Sequence, residues 1–204
     1  MSLDLAWQAS LLGSGPVEFD TALSGRRRRR LRGGAWIDVV PGWCSGADEL
    51  FARLLAETAW QPQRLVRMYE RMVPEPRLTH RWPADTAPPQ LGSMARVLSE
   101  HYGVEFTQVG VNLYRDGDDS VAWHGDRVAR DLPEAVVALV SLGAVRPFRL
   151  RPVGGGPGLG VLAGPGDLLV MGGSCQRTWQ HCVPKCRTVP GARISVQFRH
   201  AYRR

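Results

Sequence analysis

Hydrophobic positions along the chain follow two periods. Within residues 47–60, Leu50, Leu54 and Leu55 recur at helical spacing, and Asp48 and Glu49 sit in the first turn, where the peptide dipoles favour acids. Leu91, Met94, Val97 and Leu98 repeat the pattern over residues 90–101, behind Pro88 and Pro89, which open a helix rather than interrupt one. Two helices are predicted. From residue 107 the period falls to two: Thr107, Val109, Val111 and Leu113 alternate with Gln108, Gly110, Asn112 and Tyr114. Residues 136–145, 148–153, 160–162, 167–171 and 194–200 continue as strand candidates, punctuated by Gly154-Gly155-Gly156-Pro157 and Gly164-Pro165-Gly166. Two helices ahead of many short strands predict an α+β fold, with helices packed outside a barrel or two-sheet roll. There is no internal repeat.

Residues 77–89, rich in Pro and polar side chains, read as a surface loop or lid (about 76–89). The consecutive arginines Arg26, Arg27, Arg28, Arg29 and Arg30, then Arg32 and Gly33-Gly34, repel one another and predict an exposed loop; a phosphate-tracking arm is the functional alternative. On this basis residues 1–40 are an N-terminal segment and residues 41–204 a single domain. The longest apolar run, residues 135–145, is about half of what a membrane-spanning helix needs, so no membrane partner is expected. Residues 1–10 contain Asp4 and no basic head before an apolar stretch, which does not read as a secretory signal and makes a cytoplasmic location the expectation.

Composition narrows the class. At 204 residues, 44% of them hydrophobic and seven of them Trp, the chain carries enough apolar surface for one folded domain and is not a disordered tail. Cys44, Cys175, Cys182 and Cys186 include no Cys-x-x-Cys pair, so reduced thiols are expected; Cys182 and Cys186 flank His181, a weak zinc pattern. The net charge is +7, and every basic residue except Lys185 is Arg. Such a surplus favours polyanions, since Arg forks phosphate and carboxylate, although a coding preference for Arg would give the same count.

In His124-Gly125-Asp126 an imidazole and a carboxylate lie two residues apart, on the same side of an extended segment, and His181 could complete a set. Two His and one carboxylate on one face of a metal suit non-haem Fe(II), and zinc accepts the same ligands; a turn with a surface His is the plain alternative. Arg193, Ser195, Gln197 and Arg199 alternate with Ile194, Val196 and Phe198. If the apolar side packs outward, two guanidiniums face the interior near His181. Burying them unpartnered costs several kcal/mol each, so either an anionic ligand or an internal acid (Asp167, Asp126 or Glu105) must answer them. Asn112 and Tyr114 offer an amide and a phenol to the same cavity, either as part of a dicarboxylate clamp or to satisfy buried backbone groups.

These residues carry a resemblance. Asn112-Leu113-Tyr114-Arg115-Asp116-Gly117 followed by Ser120-Val121-Ala122-Trp123-His124-Gly125-Asp126 resembles the entry to the iron site of the AlkB family of 2-oxoglutarate/Fe(II) dioxygenases. Gln176-Arg177-Thr178-Trp179-Gln180-His181-Cys182-Val183-Pro184-Lys185 and residues 193–199 resemble its distal-His and double-Arg motifs, with a fainter echo at Pro76-Arg77-Leu78-Thr79. The match runs in order over residues 112–199. It implies a double-stranded β-helix, or jelly-roll, with Fe(II) held by His124, Asp126 and His181. It also implies 2-oxoglutarate met by Asn112, Tyr114 and Arg193, with Arg199 beside its iron-bound end and O2 as the oxidant.

The activity implied is oxidative removal of N-methyl groups from alkylated DNA bases such as 1-methyladenine and 3-methylcytosine, releasing formaldehyde, succinate and CO2. A base edge is inaccessible inside a duplex, so the nucleotide must be single-stranded or extruded. Arg77, His80, Trp82 and Trp123 are nominated to meet it, with a core role as the alternative for the tryptophans. The family often carries acids shortly after His-x-Asp, whereas this chain has Arg127-Val128-Ala129-Arg130, which leaves base choice open and favours backbone contact. Alternatives are the same iron site acting on RNA, protein or a small molecule, and a zinc-stabilised nucleic-acid-binding module without activity. A monomer is expected.

Overall fold

The computed structural model describes residues 5, 15–61, 65–68, 71–128, 131–188 and 191–200. Residues 1–4 and 6–10 of the stretch inspected for a signal, and Ala129 and Arg130, lie outside the described residues.

In chain order the elements are β1 (Glu18–Phe19), β2 (Arg27–Arg30), β3 (Trp36–Val40), β4 (Cys44–Ser45), α1 (Ala47–Glu57), β5 (Leu65–Met68), β6 (Arg71–Pro74), β7 (Leu78–Pro83) and α2 (Pro89–Tyr102). There follow β8 (Gln108–Tyr114), β9 (Val121–His124), β10 (Val137–Gly143), β11 (Arg146–Pro152), β12 (Leu159–Ala163), β13 (Leu168–Gly172), the short α3 (Cys175–Thr178), β14 (Trp179–Val183) and β15 (Arg193–Arg199). Seven strands form one sheet in the order β2-β3-β13-β10-β15-β8-β7, and four form a second, β12-β11-β14-β9. The two sheets make a double-stranded β-helix with both long helices on the outer face of the larger sheet.

Strand alternation builds two cores from one set of strands. Val109, Val111, Leu113, Ala138, Val140, Leu142, Ile194, Val196 and Phe198 face the helices and pack with Leu50, Phe51 and Leu54 of α1 and Leu91, Met94 and Leu98 of α2. The intervening Val137, Leu139, Leu169 and Met171 face the second sheet and pack with Phe148, Leu150, Trp179 and Val183. Each such side chain contributes about 1.5–3 kcal/mol by leaving water. α2 has Pro89 at its first turn and ends on Gly103 in the left-handed region at φ 63°, whose N–H bonds Ser99 O. Gly143 turns the chain out of β10 at φ 76°, where an added Cβ would lie 2.6 Å from Ala192 O and 2.8 Å from the Phe51 ring, so α1 sits directly on that turn.

Three expectations change. The arginine run is exposed as its charge requires, yet residues 27–30 are a strand, not a loop: backbone pairing with β3 and a buried Asp38 opposite Arg28 offset the repulsion. Residues 27–40 thereby join the main sheet instead of forming a separate segment. The expected lid is largely β7, paired along β8, because Leu78, His80 and Trp82 alternate with Thr79 and Arg81 and give the segment an apolar side to bury. Among the described residues, no helix is long and apolar enough to cross a membrane.

Candidate functional site

Between the sheets, where β8 and β15 face β9 and β14, lies a cavity of about 300 Å³ lined by Asn112, Tyr114, His124, Asp126, His181, Arg193 and Arg199 among others. The register explains the convergence. β15 pairs with β8 so that Arg193 stands opposite Tyr114, Ser195 opposite Asn112 and Arg199 opposite Gln108, all on the face turned from the helices. β14 pairs with β9 so that His181 stands opposite His124, with ring centroids 4.3 Å apart. Asp126 follows two residues after His124. The ligand atoms of His124, Asp126 and His181 lie within 4.8 Å of one another.

His124 and Asp126 are each held by a hydrogen-bond partner that leaves one possible ligand atom free, and His181 is held by a stacked ring. His124 Nδ1 lies 2.8 Å from Ala122 O; a carbonyl only accepts, so Nδ1 carries the proton and Nε2 keeps its lone pair. Asp126 Oδ1 takes Arg199, at 3.3 Å from Nε and 3.2 Å from Nη2. Its other oxygen, Oδ2, is buried without a hydrogen-bond partner, 3.7 Å from His181 Nε2. Burial pulls the Asp126 carboxyl upward, but the Arg199 guanidinium beside it outweighs burial and holds the group below the usual carboxylate range. Burial pushes His181 down to about 3 against the pull of Asp126, so its imidazole is neutral and can donate a lone pair. Phe148 stacks on it at 5.3 Å and 22°.

Behind the triad, Arg193 is 1% exposed and has no acid partner among the described residues. Its Nε donates to Ser141 Oγ at 2.9 Å, its carbon lies 5.2 Å from the Tyr114 ring centre, and its Nη1 is buried without a partner. Of the two internal arginines, Arg199 thus finds one of the anticipated acids, Asp126, while Arg193 faces the cavity unanswered.

The residues nominated for the base divide. Arg77 lines the cavity, tied to Glu75 at 3.2 Å and to Ser120 O. His80 reaches the cavity wall, but its ring bonds Ala59 O at 2.8 Å and packs edge-on to Trp82. Trp82 pairs with Val109 and packs against the helix-side core, so strand alternation turns it from the cavity. Trp123 likewise points the other way from His124, with the Arg151 guanidinium 4.3 Å over its ring. The same alternation delivers Thr79 and Arg81 to the cavity, together with Arg127.

Other contributors are assigned no role by the motifs. Gln176 Oε1 accepts the Asp126 N–H at 2.8 Å, and a Cβ on Gly125 would lie 2.9 Å from Gln176 O, so the His-Gly-Asp turn is packed directly on α3. Arg146, 1% exposed, donates to Asp116 O at 2.7 Å and to Asp119 O and Pro184 O at 2.8 Å each, fastening the loops on either side of β9 and β14. Extending the alternation of β11 two residues back from the sequence-predicted start at Phe148 puts Arg146 on the same inward face as Phe148 and Leu150. Cys182 neighbours His181 on β14 and so faces the opposite way, and Cys186 Sγ meets Thr188; among the described residues the thiols do not join His181 in a metal cluster.

A model of the 2OG-Fe(II) oxygenase superfamily matches residues 48–199. Similar curated proteins include alpha-ketoglutarate-dependent dioxygenase alkB homolog 3 of Rattus norvegicus, 31% identical over 178 residues, covering 76% of this chain and 60% of that protein. The human protein of the same name is 32% identical over 158 residues (71% and 51%), and DNA oxidative demethylase ALKBH2 of Arabidopsis thaliana is 32% identical over 120 (48% and 38%). The match thus spans about 60% or less of these relatives. A solved structure described as "The structure of OsALKBH1" superposes with a TM-score of 0.60 at 14% identity, covering 86% of this chain and 100% of that one, which shows the same fold. The chain belongs to the 2OG-Fe(II) oxygenase superfamily and, within it, to the AlkB family.

Proposed function

We propose that this chain is an oxidative demethylase of alkylated nucleic-acid bases, acting on N-methylated DNA bases such as 1-methyladenine and 3-methylcytosine in alkylation repair. The observation that carries this reading is the pairing of a His/Asp/His triad with a buried guanidinium, Arg193, that no acid answers. Two imidazoles with one carboxylate suit non-haem Fe(II), and the unpartnered Asp126 Oδ2 and Arg193 Nη1 are the atoms that a cation and an anion would satisfy. The residues present therefore fit both groups.

In this reading His124, Asp126 and His181 hold Fe(II), while Arg193, Tyr114 and Asn112 meet the carboxylates of 2-oxoglutarate. Bound there, Fe(II), O2 and 2-oxoglutarate supply the oxidation that releases the methyl as formaldehyde and leaves succinate and CO2. The chain's own contribution is positional. Arg199 fixes Asp126 and would stand beside the iron-bound end of the cosubstrate. Phe148 and Tyr114 wall the site with apolar surface and limit its water. Arg77, Arg81 and Arg127 make the rim cationic, which suits the phosphates flanking an unpaired or extruded nucleotide.

The test is turnover on single-stranded oligonucleotides carrying 1-methyladenine or 3-methylcytosine, in DNA and RNA, with Fe(II) and 2-oxoglutarate. Formaldehyde and the restored base should appear together, one of each per succinate. Cosubstrate consumption indifferent to every methylated oligonucleotide would overturn the proposal.

A further inference from the structure

The arginines of β2 are not used by the cavity. Register divides them. Arg28 and Arg30 stand opposite Asp38 and Trp36, on the helix side, and Arg27 and Arg29 stand opposite Val39 and Ile37. Arg28 forks the fully buried Asp38 at 2.7 and 2.8 Å and lies 3.8 Å over the Trp36 ring. Asp38 also accepts the Tyr102 hydroxyl at 2.9 Å, and Arg26 Nη1 meets His101 Nε2 at 2.9 Å, so these two arginines tie the strand to the end of α2. Arg27, Arg29 and Arg30 are exposed, with no acid partner among the described residues. Charged side chains on an edge strand keep it from pairing with another sheet. Five guanidiniums against one carboxylate leave a surplus that edge protection does not need.

We propose that the β2 edge, through Arg27, Arg29 and Arg30, is a docking strip for the phosphate backbone of a nucleic-acid strand, separate from the catalytic cavity. It rests on the reading that the substrate is nucleic acid. Guanidiniums are forks for phosphate oxygens, and an unpaired strand edge adds backbone N–H donors. The strip lies at one edge of the seven-stranded sheet and β7, which rims the cavity, at the other. At about 4.8 Å per strand they are roughly 25–30 Å apart. A trinucleotide held in the cavity falls short of the strip, whereas a long strand can engage both.

The experiment measures binding of an unmethylated single-stranded 25-mer by the full chain across a salt series. In parallel it follows turnover of a methylated trinucleotide. Replacing Arg27, Arg29 and Arg30 together by Gln should flatten the log K against log salt slope by about two units, at about 0.7 per lost phosphate contact. Affinity should fall on the order of tenfold or more at low salt, while trinucleotide turnover is unchanged. The Arg→Lys triple should keep most of the slope, and Arg29→Gln alone should lose about 0.7 unit, which keeps the test open if the triple Gln variant folds poorly. An unchanged slope in the Gln variants overturns the proposal. So does an equal fall when Arg53, Arg96 and Arg149, basic residues elsewhere, are replaced instead. Because the 25-mer is unmethylated, binding reports on the strip independently of whether the cavity demethylates anything.

Discussion

Arg199 holds one oxygen of Asp126 at 3.2 Å and leaves the other free to face His181. The guanidinium fixes the rotation of the carboxylate, so Oδ2 is presented rather than shared. Arg199→Gln should therefore weaken Fe(II) binding and turnover by about 10–100-fold, as loss of a partner behind a metal ligand commonly does. Fe(II) titration of the variant checks this; unchanged metal affinity would remove Arg199 from that role.

Arg193 is a buried guanidinium with no acid partner among the described residues, so, if it binds the diacid as proposed, its removal should separate binding from folding. Arg193→Leu should raise the KM for 2-oxoglutarate by about 100-fold or more while leaving the ligand-free protein as stable as the parent or more so, because an unpaired buried cation costs stability. Thermal melting with and without the diacid is the measurement. The parent should be stabilised by the ligand and the variant should not. A large loss of stability without ligand would mean that Arg193 is already compensated.

Gly125→Ala places a methyl 2.9 Å from Gln176 O, a backbone atom that cannot swing aside. The His124-Ala-Asp126 turn must shift, and Fe(II) affinity should drop on the order of tenfold or more with the fold retained. Gln176→Leu, which deletes the acceptor of the Asp126 N–H, should move affinity the same way by a smaller step. Circular dichroism beside metal titration distinguishes a displaced ligand from a lost fold.

His200 titrates below its ordinary value because burial beside Phe106 disfavours the imidazolium, with Glu105 pulling the other way. An unfolded chain binds that proton more readily than the folded one. His200 thus adds nothing to the pH dependence well above pH 6.5, and stability is lost as pH falls from there through the lowered folded value, by at most about 1.4 kcal/mol per pH unit. Denaturant unfolding between pH 7.5 and pH 5 should show a shallower decline in His200→Phe than in the parent. Parallel curves would contradict the assignment.

What the sequence makes legible is what alternation and motif order can carry. Arg193 and Arg199 share a face because Ile194, Val196 and Phe198 take the other, and that reading needs only β15 itself. The seven-stranded sheet is less legible at its margins: β2 looks like solvated coil because its pairing depends on Asp38, ten residues from Arg28 and buried only once α2 brings Tyr102 over it. Trp82 and Trp123 attract attention as aromatic rings, yet the period-two rule that places Arg193 also turns both from the cavity once their strands are known. Alternation can place Arg146 inward and motif order includes Gln176, but neither reveals what these residues do, since each acts on backbone atoms distant in the chain.

The central claim is that one cavity holds a metal on His124, Asp126 and His181 and a diacid on Arg193. Anaerobic calorimetric titration of the metal-stripped chain with Fe(II), then with 2-oxoglutarate, tests it most directly. The account predicts one Fe(II) per chain, lost in Asp126→Ala, and one 2-oxoglutarate whose binding Arg193→Leu weakens while Fe(II) binding persists. Fe(II) bound equally well by Asp126→Ala, or 2-oxoglutarate bound equally well by Arg193→Leu, would contradict it.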